Sequence, residues 1–247
     1  MADKWLGDIF HQSGLAESVL ATIQDREPKV KAACYEAAAI VEDWRAQCVG
    51  GFCSALDLFE LAILPTLMYN SDTWVDIPKE AEEKLENLQL FYVRLVLRVP
   101  QGTPKIALRS ETGLLSMRLR IWKKKCMLVH HIRGLGNETL AKKVYEEQRR
   151  NNWPGLAVEV TKICSELDIE DLNDTNMSKK RVKDLVDKAC NLKDEQDMKA
   201  GMEGMTKLEL LRLEDCKLKS YMRQKSLKDV RDTFRTRTQL MEIIKGN

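Results

Sequence analysis

The stretch LENLQLFYVRLVLRVPQG at residues 85–102 decides the fold class of this chain. Its apolar residues recur at the spacing of an α-helix and fall on one face, which holds Leu85, Leu88, Tyr92, Leu95 and Val99. Arg94 and Arg98 are turned away from that face, four residues apart. The Pro and Gly residues that follow are typical of a helix end, so we expect the helix to stop near Val99.

The same periodicity extends over most of the sequence. A long helix is predicted over 116–133, where the apolar positions are Met117, Ile121, Leu128 and Ile132. Other helices are predicted to start at Pro28, to cover 52–68 with a distortion at Pro65, and to cover 105–111, 138–151, 155–167, 178–199 and 206–240. Residues 4–10 are predicted to form one short strand that enters a turn at Ser13-Gly14, and Gly50-Gly51 ends the helix that Pro28 begins. The sequence therefore predicts an all-α, multi-helix bundle with a helical C-terminal extension and at most a short N-terminal strand.

The composition is that of an ordinary globular chain. Of its 247 residues 44% are hydrophobic and 32% charged, with Gly 12 and Pro 6, which excludes a collagen-like or low-complexity chain. We expect no signal peptide and no membrane span, because neither a basic start followed by an apolar run nor a sufficiently long apolar segment is present. The seven cysteines are scattered without a CxxC pair, which favours reduced thiols and an intracellular protein, in the nucleus or the cytoplasm.

The net charge of +2 conceals a strong segregation of basic and acidic residues along the chain. Residues 1–77 hold 5 basic and 12 acidic groups, whereas residues 78–151 hold 16 basic and 8 acidic groups. Residues 152–200 are acidic, with 8 basic and 11 acidic groups, and residues 201–247 are basic, with 11 basic and 7 acidic groups. A basic block can bind phosphate or can simply be a solvated helix face, and composition alone does not separate these alternatives.

Signals for catalysis or metal binding are weak. Cys126, His130 and His131 lie on one predicted helix, but a structural zinc site needs four ligands and no second pair supplies them. Phosphate-loop motifs and a local nucleophile arrangement are missing as well. The sequence predicts no metal site, no cofactor and no catalytic residue.

A set of motifs resembles the region after the palm in non-LTR (LINE-type) retrotransposon reverse transcriptases. The matching residues span about 4–150 and are Leu6-Gly7-Asp8, Pro65, Tyr69, Asp72-Thr73-Trp74, Pro100, Thr103-Pro104 and Glu111-Thr112-Gly113. Asp72 stands where the family usually has glutamate. The tail at 227–247 also resembles the basic helical linker of the family.

The resemblance implies a domain organisation. Residues 1–14 would be a remnant of the palm and primer-grip segment, 15–151 a helical thumb-like domain, and 152–247 a helical linker region with a basic tail. The family is RNA-directed DNA polymerase, but its catalytic palm aspartates have no counterpart in this chain, and neither has the zinc module with its endonuclease. Two-metal phosphoryl transfer needs those carboxylates, so we expect no enzymatic activity and no small-molecule substrate.

The resemblance also implies which residues contact nucleic acid. In this family the thumb lies along the template–primer, so RNA or an RNA–DNA hybrid is the expected partner, together with an upstream palm domain if the chain is part of a longer product. Basic side chains would contact the backbone without reading sequence. These candidates are Arg94, Arg98, Lys105, Arg109, Arg118, Arg120, Lys123, Lys124 and Lys125.

Two other interpretations remain open. The chain could be a helical protein-interaction module, because amphipathic helices bind partners as readily as they build a core. It could also be a decayed retroelement remnant with no independent activity and an exposed apolar surface.

Overall fold

A computed structural model describes residues 2–5, 7–12, 14–46, 51–170, 172, 177–203, 217–223 and 226–243. Within these residues helices dominate, and the predicted all-α class is confirmed. Three predicted features, Leu6, Ser13 and Gly50, lie outside the described residues, as do the segment 204–216 and the end of the basic tail.

The elements follow the chain in a simple order. Two short strands, β1 (Ala2–Trp5) and β2 (Asp8–His11), precede the long helix α1 (Leu15–Ala46). Helix α2 (Phe52–Leu58) continues through a π-helical turn (Phe59–Ile63) into α3 (Leu64–Leu67). The remaining elements are α4 (Lys79–Leu97), α5 (Lys105–Thr112), α6 (Met117–Gly134), α7 (Leu140–Asn151), α8 (Leu156–Glu166), α9 (Lys179–Met202), a 3-10 turn (Ser220–Arg223) and α10 (Leu227–Ile243).

The distortion predicted at Pro65 is confirmed. Proline cannot donate a backbone hydrogen bond, and the helix widens into a π-helical turn immediately before it. The predicted stop of α4 is also confirmed, because the helix ends at Leu97 and Arg98 follows with φ +53°.

Three predictions about element boundaries are wrong. The single N-terminal strand is an antiparallel hairpin, because Gly7 adopts φ +86° in the connection and returns the chain. The helix predicted to begin at Pro28 begins at Leu15 instead, and Pro28 lies inside it. Proline has no amide hydrogen, so the carbonyl of Gln24 lacks its helical hydrogen bond. Both Gln24 and Pro28 lie on the exposed face of the helix, where water can solvate that carbonyl.

The continuous helix predicted over 206–240 is the third error. Residues 217–219 are not helical, and α10 begins only at Leu227. The reason is a tertiary contact, since the amide of Lys219 donates to the carbonyl of Glu111 over 3.1 Å. This contact ties the non-helical segment to the end of α5.

The chain divides into two compact units made of alternating segments. The first unit comprises Met1–Thr22, Asn70–Glu82 and Met117–Asp194, and the second comprises Ile23–Tyr69, Glu83–Ser116 and Glu195–Asn247. Each unit contains residues from both sides of position 151, so compactness does not follow the order of the chain. The functional boundaries proposed at residues 14 and 151 stay a prediction.

The first unit is held together by polar links and by helix packing. The amides of Ile9 and His11 donate to the hydroxyls of Thr22 and Ser18, each over 2.8 Å, and so fasten the hairpin to the start of α1. Helices α6, α7 and α8 pack on one another around buried Val129, among other side chains.

The second unit has an aromatic core. The rings of Phe59 and Tyr92 stack with centroids 5.4 Å apart, and the buried Tyr92 hydroxyl donates to the carbonyl of Ala55 over 2.9 Å. Burial raises the pKa of both Tyr92 and Cys34, the latter to about 12. These positions are structural, because they leave no polar group exposed for chemistry.

Candidate nucleic-acid interface

In the second unit most of the predicted cations hold the protein together. Arg94 donates to the carbonyl of Thr103 over 3.0 Å, and burial lowers its pKa. Arg98 forms an ion pair with Glu42 at 3.1 Å, and Arg109 forms one with Glu86 at 3.6 Å. Lys105 differs, because it is exposed at the start of α5.

Three predicted cations of the first unit also have protein contacts. Arg118 lies over the ring of Trp122, 4.4 Å from its centroid, and pairs with Glu166 at 3.2 Å. Lys125 is only 2% exposed and its ammonium binds the carboxylate of Glu159. Arg120 is half-buried on the same helix.

The two remaining candidates, Lys123 and Lys124, line a cavity in the first unit. Its volume is about 840 Å³. Further basic side chains line it as well, namely His130, His131, Arg133, Lys179 and Lys183. Two carboxylates, Asp72 and Asp187, complete its polar groups. We call it the α6–α9 cavity, since most of its lining comes from these two helices.

The lining follows one stripe on each helix. Along α6 the lining residues run from Lys123 to Gly134, so this stripe is about 17 Å long at the usual helical rise, and Leu135 follows directly after the helix. Along α9 the stripe runs from Lys179 to Asp187. Lys123 forms an ion pair of 2.6 Å with Asp187, and one turn earlier on α6 the carbonyl of Leu119 contacts the thiol of Cys190, further along α9. These two contacts show that the helices run antiparallel there.

Charge in the α6–α9 cavity is predominantly positive. Five Lys and Arg side chains against two Asp give a formal charge of +3 with neutral histidines. Lys123 is neutralised by Asp187, and the guanidinium of Arg133 donates to the carbonyl of Leu172. Within the described part of the chain, Lys179 and Lys183 form no ion pair. They are the cations best able to bind an anion.

The start of α9 is electrostatically unfavourable for the protein by itself. Its first residues read KKRVK over 179–183, and its first turn contains no acidic residue. Positive charge is destabilising at a helix N-terminus, where the helix dipole is positive, and like charges four residues apart repel. An anion bound at this end would remove both penalties.

The cavity also has apolar walls. They are formed by Met127, Leu128, Leu135, Leu172, Met177 and Val186. The imidazoles of His130 and His131 line the same cavity. The site can therefore receive a ligand that is partly apolar and partly anionic.

The arrangement does not favour a metal. Among the described residues no group of three His, Cys, Asp or Glu side chains is placed to bind a metal ion. The Cys126 thiol is buried and hydrogen-bonded with that of Cys164, whereas His130 and His131 line the cavity.

In the described part of the chain no helix is long and apolar enough to cross a membrane.

Comparisons of this chain with protein-family models, with curated proteins and with solved structures find no match. The resemblance to reverse transcriptases therefore rests on the motif residues alone and stays a prediction. Asp72, the residue that departs from the family pattern, lines the α6–α9 cavity.

Several lining residues were missed by sequence reasoning. Lys179 and Lys183 belong to a segment that is acidic on average, 8 basic against 11 acidic groups over 152–200, and the average concealed the local run KKRVK. A narrower charge window would have found this run. Arg133 gave no such signal, and His130 and His131 had been considered only as possible zinc ligands, because only the tertiary packing of the first unit brings these three residues to the cavity.

Proposed function

We propose that this chain is a non-catalytic nucleic-acid-binding module, and that the α6–α9 cavity binds the sugar–phosphate backbone of RNA or of an RNA–DNA hybrid. The proposal agrees with the resemblance to the thumb and linker region of retrotransposon reverse transcriptases. In such a role the protein positions a strand, and another domain performs the chemistry.

One observation carries the proposal. Lys179 and Lys183 lie at the start of α9 without a carboxylate partner in the described part of the chain, and they line the same cavity as Lys124 and Arg133. The Ser178 hydroxyl caps the start of α9 by accepting the amide of Arg181 over 3.3 Å, but the charges of Lys179 and Lys183 remain unfavourable beside the positive end of the helix dipole. Phosphate is the common biological anion that such a cluster and a helix N-terminus bind together.

The proposed contacts position a strand without reading its sequence. Lysine binds phosphate as a point charge, and contacts to phosphate carry no base information by themselves. We therefore propose similar affinities for strands of different sequence and a strong dependence on salt. Lys125, Arg94 and Arg109 are not part of the proposed interface, because protein groups hold their side chains.

The test is a salt series measured by fluorescence anisotropy with a labelled RNA–DNA hybrid. Three to five phosphate contacts predict a log–log slope of affinity against salt of about −3 to −5. The variant K179E/K183E should weaken binding at least tenfold at low salt, since each reversal replaces an attraction by a repulsion.

A matched control separates local from global charge. K162E/K188E changes the net charge by the same amount, and both lysines are exposed in the first unit and do not line the cavity. This control should retain most of the affinity. A flat salt response, or equal losses in the two double variants, would contradict the proposed site.

A protein-interaction module is the second candidate function. Helix α7 exposes Leu140 and Val144, four residues apart, with Leu140 76% exposed and Val144 47% exposed. Such a pair suits the apolar face of another helix. If this role dominates, L140K/V144K should abolish complex formation in sedimentation velocity, whereas K179E/K183E should leave it intact.

A decayed remnant would differ from both. It would bind the dye ANS and melt without cooperativity, whereas either functional module should melt in one sharp transition.

A further inference from the structure

We infer that the α6–α9 cavity receives one unstacked nucleotide of a single strand, with its base against the apolar walls and its phosphate at Lys179 and Lys183. This inference rests on the proposed function and names the part of the nucleic acid that the site recognises.

The α6–α9 cavity has the size of a small-ligand pocket. A volume of about 840 Å³ lies within the range of roughly 300–1,000 Å³ that is typical of small-ligand pockets. A double helix can lie with its phosphates along the rim of the cavity, but a pocket of this size cannot enclose the duplex. A single nucleotide turned out of a strand can enter the pocket, because its base is not paired.

The lining of the cavity combines apolar side chains with cations. Six apolar side chains face the same space as the cations, and a bare phosphate would have no use for them. Bases bind through their planar faces, which stack on imidazole and guanidinium groups as well as on larger aromatic rings. His130, His131 and Arg133 supply such groups in this cavity.

The two lysines of α9 are placed to bind one phosphate together. Lys179 and Lys183 lie one turn apart on α9, so their side chains can bracket a single phosphate. The antiparallel register set by Lys123 and Asp187 places Lys179 across from the region of His131. Phosphate and base would thus occupy neighbouring parts of one pocket.

The carboxylate of Asp72 adds a polar acceptor to the lining. It can accept a hydrogen bond from a base amino group or from a ribose hydroxyl, both of which are donors. A ligand made only of phosphate would be repelled by this carboxylate. The acceptor therefore favours a nucleotide over inorganic phosphate.

The test compares labelled strands of equal length and charge by fluorescence anisotropy. A single-stranded RNA, the same RNA in a perfect RNA–DNA duplex, and an abasic strand with the same number of phosphates are titrated with the full chain. The base-containing single strand should bind about tenfold or more tightly than the abasic strand, since stacking of one base contributes on that order. It should also bind more tightly than the blunt duplex.

A variant pair locates the effect. H131A should lower affinity for the RNA several-fold while leaving affinity for the abasic strand unchanged, because it removes only a stacking partner. W153A is the control, since Trp153 is also an exposed ring of the first unit, 56% exposed, but does not line the cavity. W153A should leave both affinities unchanged.

Uridine monophosphate tests whether a free nucleotide enters the same pocket. Competition with the labelled RNA that disappears in K179E/K183E would support the inference, and competition that persists in that variant would overturn it. Equal binding of abasic and base-containing strands would also overturn it, but would leave the proposed function standing if K179E/K183E still loses affinity. If K179E/K183E and the wild type bind RNA equally, the proposed function itself fails.

Discussion

Basic side chains at two places in the molecule, Arg231 in the second unit and Lys179 with Lys183 in the first, differ in how they are used. In the second unit Arg231 is 4% exposed, donates to the carbonyl of Val96 over 2.7 Å and also binds the carboxylate of Glu42. In the first unit Lys179 and Lys183 are exposed at the rim of a cavity and have no ion pair in the described part of the chain. A basic segment can therefore bind ligands only where its side chains are not already paired with other groups of the protein.

The end of α5 illustrates the structural use of charge. Glu111 is fully buried and accepts hydrogen bonds from the guanidinium of Arg237, at 2.9–3.2 Å, and from the hydroxyl of Tyr221. Gly113, with φ +67°, lies so close to the backbone of Leu218 that a Cβ atom would overlap it. The Glu-Thr-Gly motif therefore anchors the C-terminal part of the second unit.

The largest effect is expected from breaking this anchor. R237M leaves the Glu111 carboxylate buried without its cation, and such a loss typically costs about 3–5 kcal/mol of unfolding free energy. Urea unfolding followed by circular dichroism measures it. The double variant E111Q/R237M should recover a substantial part, since no buried charge remains. RNA affinity at a temperature where R237M is folded should match the wild type, and a selective loss of binding would contradict the structural assignment.

A smaller loss is expected from the structural cation of the first unit. K125M removes the partner of Glu159, but this carboxylate is partly exposed and still accepts the amide of Asp76 over 2.6 Å. We expect a loss of about 1–3 kcal/mol in the same unfolding measurement. The salt dependence of RNA binding should be unchanged. If K125M instead reduces the salt slope as K179E/K183E does, then Lys125 contacts phosphate and its buried position is not retained in solution.

The sequence predicted the helices well because their information is local. The periodicity around Leu85 and Tyr92, the helix end near Val99 and the helix distortion at Pro65 all depend on neighbours within a few turns. Pro28 was misjudged because proline suits a first turn and is also tolerated on an exposed helix face, and local sequence does not distinguish the two.

The candidate site was predictable only in part. Lys123 and Lys124 were named as candidates through the family resemblance, and both line the cavity. Lys125, next to them, turns toward Glu159, a residue 34 positions away, and no local signal reports that pairing. The same holds for Arg109 with Glu86 and for the cluster around Glu111, since ion pairs formed by tertiary contact are invisible to a composition window.

A modest effect of opposite sign is expected at the cavity. K179E places a negative charge at the N-terminus of α9, where it interacts favourably with the helix dipole and relieves the repulsion with Lys183. We expect the variant to gain about 0.3–1 kcal/mol of unfolding free energy while its RNA affinity falls. K188E, on the same helix but beyond the cavity stripe, should change neither quantity by a comparable amount. If K179E destabilises the protein, Lys179 makes a contact that stabilises the fold, and the comparison between the two units loses its strongest case.

The smallest effect is a change in thiol reactivity that reports on the cavity. The hydrogen bond from Cys126 and the nearby charge of Arg133 lower the pKa of Cys164, whereas burial raises the pKa of Cys34 and Cys190 to about 12 each. A lowered pKa means more thiolate at neutral pH, so iodoacetamide should label Cys164 before those two residues, as followed by mass spectrometry of tryptic peptides. Because Arg133 also lines the cavity, phosphate bound there should weaken its effect on Cys164 and slow the labelling, by less than about tenfold if the pKa moves by less than one unit. The slowing should be absent in K179E/K183E, whereas labelling that RNA leaves unchanged in the wild type would place the bound strand away from Arg133.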